Sequence, residues 1–215
     1  MNDNKSYDID CVRCPRLAKH LDIVRRDYPD YHGLPVAPFG VKKPKLLIVG
    51  LAPGMHGANA TGRPFTGDHA GILLYKALYK YGFSNKEIAI DPKDGLKLKH
   101  CRITNAVKCL PPENKPIGSE VSNCNVYLRN EIASLGNHFV ILALGGVAHK
   151  AVLKALGLKN KDHDFSHAAQ HNLGLDKWLI DSYHCSRYNT QTRRLTEAMF
   201  FEVFDKIRKI IYVTN

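Results

Sequence analysis

Two groups of residues in this chain have types and spacing suited to chemistry. The first is the cysteines, Cys11, Cys14, Cys101, Cys109, Cys124 and Cys185. Cys11-Val-Arg-Cys14 is a CxxC, and such a pair with further cysteines elsewhere suits metal ligation better than disulfides in a reducing compartment. Cys109 falls on the loop after a predicted strand, and Cys124 lies in the following predicted helix, so one turn of chain brings the two together. Cys101 starts a strand and Cys185 sits in a distant loop, which leaves neither as an obvious fourth ligand. The spacing is compatible with a Cys₄ zinc site, a [4Fe–4S] cluster or buried thiols, and does not choose among them. The CxxC lacks the βαβ context of a thioredoxin motif, and no HxE accompanies it as in the zinc deaminases.

The second group lies in KLLIVGLAPGMHGANATGRPFTGD, from Lys45 to Asp68. An apolar run, Leu46-Leu47-Ile48-Val49, has the character of a parallel strand buried on both faces. Gly50, Pro53, Gly54 and Gly57 then break it, and such glycines let a ligand approach the main chain closely. No Gly-Lys-Ser/Thr follows and no GxGxxG is present, which argues against a nucleotide-cofactor loop. The expected site is the crevice at the carboxyl ends of the strands.

The elements that must position these residues are strands at 46–49, 102–107, 139–144 and 178–183. Predicted helices cover 16–27, 69–81, 119–135, 147–156 and 190–211. Their alternation predicts an α/β fold, a four-stranded parallel sheet flanked by helices, with residues 1–215 forming a single domain. Residues 91–100, rich in lysine, read as a solvated connection, and 157–176, carrying His163, His167 and His171, as a loop. Those histidines recur every four residues, which would suit a zinc hydrolase if they shared a helix face.

Composition is that of an ordinary globular protein, with 44% hydrophobic and 24% charged residues. No run of about 18 apolar residues suggests a membrane span, and the polar start MNDNKSYDID lacks the apolar stretch of a signal peptide. A cytoplasmic protein without a membrane partner is expected. The net charge of +11 suits a polyanionic partner.

Four blocks, GLAPGMHG with GRPFTGD, ITNAVKCLPPENKP, LALGGVAH and DSYHCSRYNTQTRRLT, resemble the uracil-DNA glycosylase superfamily, and within it family 5 (type B). The resemblance runs from about Cys11 to Phe204. It implies a monomeric enzyme that excises uracil and related deaminated bases from DNA, acting on double- or single-stranded substrate in the cytoplasm at the nucleoid. It also implies a [4Fe–4S] cluster on Cys11, Cys14, Cys109 and Cys124, the same four that spacing favours. Most branches of the superfamily carry Asp, Asn or Glu where Ala52 stands, whereas family 5 does not. The family's last motif usually reads His-Pro-Ser, and here Cys185 replaces the proline.

A base inside a duplex is out of reach, so the nucleotide must be flipped into a pocket. The resemblance then assigns Phe65 to stacking on the base and Asn105 to its Watson–Crick edge, with both a donor and an acceptor to offer. His184 would stabilise the departing anionic base, helped by the backbone of the 50–57 loop (Gly50, Ala52, Gly54, His56, Gly57). Asp68 would orient water and steady the sugar cation, although an Asp ahead of a helix is equally a good N-cap. Ser186, Arg187, Tyr188 and Asn189 would meet DNA. The weighed alternatives are an iron–sulfur DNA-damage-binding protein without activity and the zinc hydrolase named above.

Overall fold

The computed structural model describes residues 5–213. In chain order its main elements are α1 (Pro15–Asp27), β1 (Phe39–Gly40), β2 (Leu46–Gly50), α2 (Ala58–Thr61), α3 (His69–Lys80), β3 (Cys101–Asn105), α4 (Gly118–Ala133), β4 (Phe139–Leu144), α5 (Gly146–Leu156), β5 (Gln170–Asn172), β6 (Lys177–Ser182), α6 (Arg187–Gln191) and α7 (Glu197–Val213).

The apolar run at the centre of the chain behaves as its composition requires. All of β2 is buried, and its side chains alternate between two cores, as the period of two in a strand dictates. Leu46 and Ile48 pack with Leu74 and Leu78 of α3 and Phe200 and Phe204 of α7. Leu47 and Val49 face the other way, with Leu128 of α4 and Val152 of α5. The sheet is therefore covered on both faces, the arrangement that parallel strands need.

The sheet differs from the four parallel strands expected. It is a mixed six-stranded sheet in the order β1-β3-β2-β4-β6-β5. Its inner four strands are parallel, and β1 and β5 pair antiparallel at the two edges. The edge strands escape a hydrophobicity reading because β1 has two residues and β5 is Gln-His-Asn. Gly40 permits the β1 pairing. It adopts φ +126°, and a Cβ there would lie 2.3 Å from the Cys101 carbonyl.

Two further expectations change. The 91–100 segment is not merely solvated, since Leu96 and Leu98 are buried. The single C-terminal helix is two: α6 ends at Gln191, Arg193 adopts a left-handed φ of 57°, and α7 starts at Glu197. Leu195 N–H donates to the Asn189 carbonyl across this break, and Thr196 Oγ1 accepts from Met199 N–H. Nothing in the apolar spacing of α7 reveals that interruption.

Among the described residues, no helix is long and apolar enough to cross a membrane.

Candidate active site

Parallel strands β3, β2, β4 and β6 present their carboxyl ends along one edge, with Gly50 directly opposite Asn105 in register. A cleft of about 460 Å³ opens there, and Ala52, Gly54, Phe65, Asp68, Asn105, His184, Ser186 and Arg187 line it. Residues from three of the four sequence blocks thus converge on one concave surface.

Asn105 is 4% exposed, and its Oδ1 is buried with no hydrogen-bond partner. An unsatisfied buried acceptor costs about 1–3 kcal/mol, so this oxygen at the floor of the cleft is free to accept from a donor entering it. Gly50 makes room for it. A Cβ on Gly50 would stand 2.4 Å from Asn105 Oδ1 and 2.7 Å from Phe65 Cζ.

Phe65 sits at a left-handed φ of 56°, which is costly for a large aromatic residue and must be held by its surroundings. Arg63 does much of the holding. It grips Asp94 with two hydrogen bonds, of 3.0 and 2.6 Å, and its Nε donates to Thr66 Oγ1 at 2.7 Å. The Arg63 guanidinium in turn holds the Asp94 carboxyl well below the usual carboxylate range. Tyr75 Oη donates to the Pro64 carbonyl at 2.9 Å. Gly71 is needed below, because a Cβ there would lie 1.9 Å from the Phe65 carbonyl. The Phe65 ring lies near-parallel to that of His184, with centroids 6.1 Å apart and 29° between planes.

Asp68 is the N-cap of α3: its Oδ1 accepts from Gly71 N–H at 2.8 Å. It nonetheless lines the cleft, so capping and exposure to the cleft coexist in one side chain. Burial raises its pKa, against the Gly71 hydrogen bond that lowers it. Gly57 gives it space, since a Cβ on that residue would fall 2.5 Å from Asp68 Cβ and 2.7 Å from Oδ2.

His184 follows β6, and burial pushes its pKa down to about 4. Its ring is therefore neutral at physiological pH and able to donate one N–H without carrying charge. The carbonyl of His184 accepts from Asn189 Nδ2 at 2.8 Å. Cys185, in the place where the resembled family has proline, is fully buried in the main core. Burial and the Asn189 bond together pin the loop that a proline would otherwise stiffen.

Other expected site residues take supporting places. Gly50 and Gly57 sit behind the cleft as spacers. His56 is exposed, with Nδ1 2.9 Å from Tyr31 Oη. Tyr188 is 70% exposed on α6, and Asn189 holds the His184 carbonyl. Two polar lining residues were not anticipated, His69 and Asn114. His69 Nε2 lies 2.9 Å from Thr190 Oγ1 and joins α3 to α6, and Asn114 is presented by a left-handed backbone at φ 57°. Only the tight Pro111-Pro112 turn could have drawn attention to Asn114, and no local signal marks His69.

Cys11, Cys14, Cys109 and Cys124 line a second, smaller cavity together with Leu17 and Val107. Cys101 and Cys185 belong to the main core instead. Lys108 N–H donates to Cys124 Sγ at 3.3 Å, and Asn123 Nδ2 to Cys14 Sγ at 3.7 Å. The three histidines of the 157–176 segment share no helix face. His163 and His171 meet edge to face with centroids 5.4 Å apart, whereas His167 stacks on Tyr183.

The Uracil DNA glycosylase superfamily matches residues 37–208. A Thermus thermophilus protein named type-5 uracil-DNA glycosylase is 42% identical over 205 residues, covering 93% of each chain. The Pyrobaculum aerophilum protein of the same name is 41% identical over 199 residues, covering 91% of this chain and 86% of its own. This chain belongs to the uracil-DNA glycosylase superfamily, in its type-5 branch.

For this member of the superfamily the matched span carries the cleft and begins after Cys11 and Cys14. The similarity to the type-5 proteins, by contrast, covers nearly the whole chain. A Mycobacterium bovis type-5 protein is likewise 40% identical over 208 residues, covering 93% of this chain and 78% of its own. A Pyrobaculum aerophilum protein named type-4 uracil-DNA glycosylase is 38% identical over 119 residues, covering 55% of this chain and 53% of its own.

Proposed function

We propose that this chain is a monofunctional uracil-DNA glycosylase, which hydrolyses the N-glycosidic bond between deoxyribose and a deaminated base in DNA. The observation that carries the reading is the buried, unpartnered Oδ1 of Asn105 at the floor of a cleft walled by Phe65, Asp68 and His184. A flipped pyrimidine supplies what that oxygen lacks, and stacks on Phe65.

The bond between the base nitrogen and C1′ breaks with its electron pair leaving on the base, and water forms the new bond to C1′. Neutral His184 donates to the oxygen of the departing base, where negative charge develops. Asp68 orients the water and faces the developing sugar cation, and the proton lost by water balances the base anion in solvent. Ser186 and Arg187, at the mouth, hold the DNA backbone, with Tyr188 and Asn189 beside them. Ala52 adds little bulk to the wall, and the cleft of about 460 Å³ admits bicyclic bases, so hypoxanthine and xanthine belong to the substrate range. The working form is a monomer on DNA at the nucleoid.

The second cavity suits a [4Fe–4S] cluster on Cys11, Cys14, Cys109 and Cys124. Its donor set is four thiols, with N–H groups directed at two of the sulfurs. When bound, the cluster ties the 11–14 segment to the 107–109 loop and α4. Attachment does not rest on it alone, because Leu17, Leu21 and Val24 of α1 are buried, and Arg16 grips Glu120 with two 2.7 Å hydrogen bonds.

The test is incubation with duplexes and single strands containing uracil, hypoxanthine or xanthine, followed by alkaline cleavage of abasic sites. Strand breaks at the damaged base are expected. Tight binding without breaks would make the protein a damage-binding module. A covalent adduct trapped by borohydride would replace the water mechanism with a Schiff base.

A further inference from the structure

Away from the cleft and the cysteines, three ligand-type side chains meet beside the end of β6. His149 Nδ1 lies 2.8 Å from Asp181 Oδ1, and His171 Nε2 lies 3.0 Å from Asp181 Oδ2. The three ligating atoms all lie within 4.8 Å of one another. Asp181 and His149 are almost wholly buried, and the His171 side chain is 12% exposed, so the cluster is closed but reachable from one side.

The other nitrogen of His149 decides what occupies the gap. His149 Nε2 is 2.8 Å from the His163 backbone carbonyl, which can only accept, so Nε2 carries the hydrogen. That bond fixes the tautomer and leaves the Nδ1 lone pair directed at a carboxylate oxygen. At 2.8 Å the pair is at hydrogen-bonding distance and shares a second proton when no metal is bound, and a cation would replace that proton with the two atoms opening to the about 3.3 Å that ligands of one tetrahedral ion keep. A ligating histidine that donates its far N–H to a backbone carbonyl, next to a carboxylate, is the usual outer arrangement of a bound metal.

We propose that His149 Nδ1, His171 Nε2 and the Asp181 carboxylate form a structural site for a divalent cation of the zinc type, distinct from the cysteine cavity. Two imidazoles and one carboxylate match the nitrogen and oxygen ligands that zinc takes, with a water completing four-coordination on the exposed side. The site joins α5, β5 and β6, three elements from separate parts of the chain. Asp181 stands three residues before His184, so a cation here fixes the strand end from which the catalytic loop emerges. It also fastens the polar edge strand β5, which has no apolar residue of its own to hold it.

The experiment uses the full chain with its cluster bound, freed of loosely held metal by chelator. Zinc is titrated calorimetrically, bound zinc is counted by elemental analysis, and ligand type is read by zinc X-ray absorption. One zinc per chain is expected, with only nitrogen and oxygen scatterers in the first shell. His171→Gln, which lies at the exposed edge of the cluster, should weaken binding by more than the about 10–100-fold that loss of an outer partner costs. Asp181→Asn should do the same, with iron content unchanged in both. The wild-type measurement needs no variant to fold. Absence of saturable binding at micromolar zinc would leave a proton on His149 as the occupant and overturn the proposal. Sulfur in the zinc shell, or equal affinity in wild type and His171→Gln, would also overturn it.

Discussion

Replacing Asp68 with Asn separates the two tasks that this side chain performs. As a cap, Asp68 offers Oδ1 to Gly71 N–H at 2.8 Å. An amide oxygen can accept the same bond, and Asn caps helices about as well as Asp, so the variant should melt with the wild type. As a catalytic group it must orient water and face a cation, and an uncharged amide does neither well. Loss of such a group lowers rates by about 100-fold or more, or at least about 2.7 kcal/mol of transition-state stabilisation. Asp68→Ala loses both tasks. It should show the same rate defect and in addition about 1 kcal/mol of lost stability, which in a protein of this size lowers Tm by about 2–4 °C. The side chain also fills the space left by Gly57, so the Ala cost falls toward the upper end of that range. The assay is single-turnover excision of uracil and of hypoxanthine, beside thermal melts of the three proteins. A full-speed Asp68→Asn enzyme would confine Asp68 to capping. A slow Asp68→Asn enzyme that also melts several degrees early would mean the rate loss reflects misfolding.

Four further outcomes follow from the geometry. Gly50→Ala places a methyl 2.4 Å from Asn105 Oδ1 and 2.7 Å from the Phe65 ring, so uracil excision should fall about 100-fold while α3 and the sheet stay intact by circular dichroism; unchanged rates would show that the floor is not used. His184, neutral down to about pH 4 in the folded protein, binds its proton only in the unfolded chain between there and about pH 6.5. The unfolded state therefore binds more protons in that window and stability falls as the pH drops through it, by up to about 2–3 kcal/mol. His184→Gln should flatten that slope in melts from pH 7 to 4, and an equal slope in both proteins would refute the assignment. Asp94→Asn removes the anion gripped by buried Arg63 and should destabilise by about 3 kcal/mol, slowing excision of every base through the Phe65 loop; a normal melt with normal rates would show the loop is held otherwise. Cys14→Ala or Cys109→Ala should lose iron, sulfide and brown colour, whereas Cys101→Ala and Cys185→Ala should keep them, and the reverse pattern would reassign the ligands.

The sequence alone determined the parts of this protein that repeat a local pattern. Leu46 to Val49 and Phe139 to Leu144 are apolar throughout, and a strand buried on both faces leaves no other solution, so the parallel core was legible. Asp68 at the head of an apolar helical stripe announced a cap, and the clustering of glycines announced a loop that something approaches. The four cysteines could be paired off because Cys101 and Cys185 sit in contexts unlike the rest. What tertiary structure decided has no such periodic signature. β1 and β5 exist because a neighbour offers free backbone groups, not because Phe39–Gly40 or Gln170–Asn172 favour a strand. Asp94 reads as a charge in a polar stretch until Arg63, 31 residues away, closes on it and fixes Phe65. His149, His171 and Asp181 lie in three separate elements, and only the folding of β6 between α5 and β5 brings them within hydrogen-bonding distance. The depressed pKa of His184 likewise arises from desolvation by residues distant in the chain. Local sequence fixes the backbone pattern through side-chain period and capping, whereas the charge state and partners of a buried polar group depend on what folding places around it.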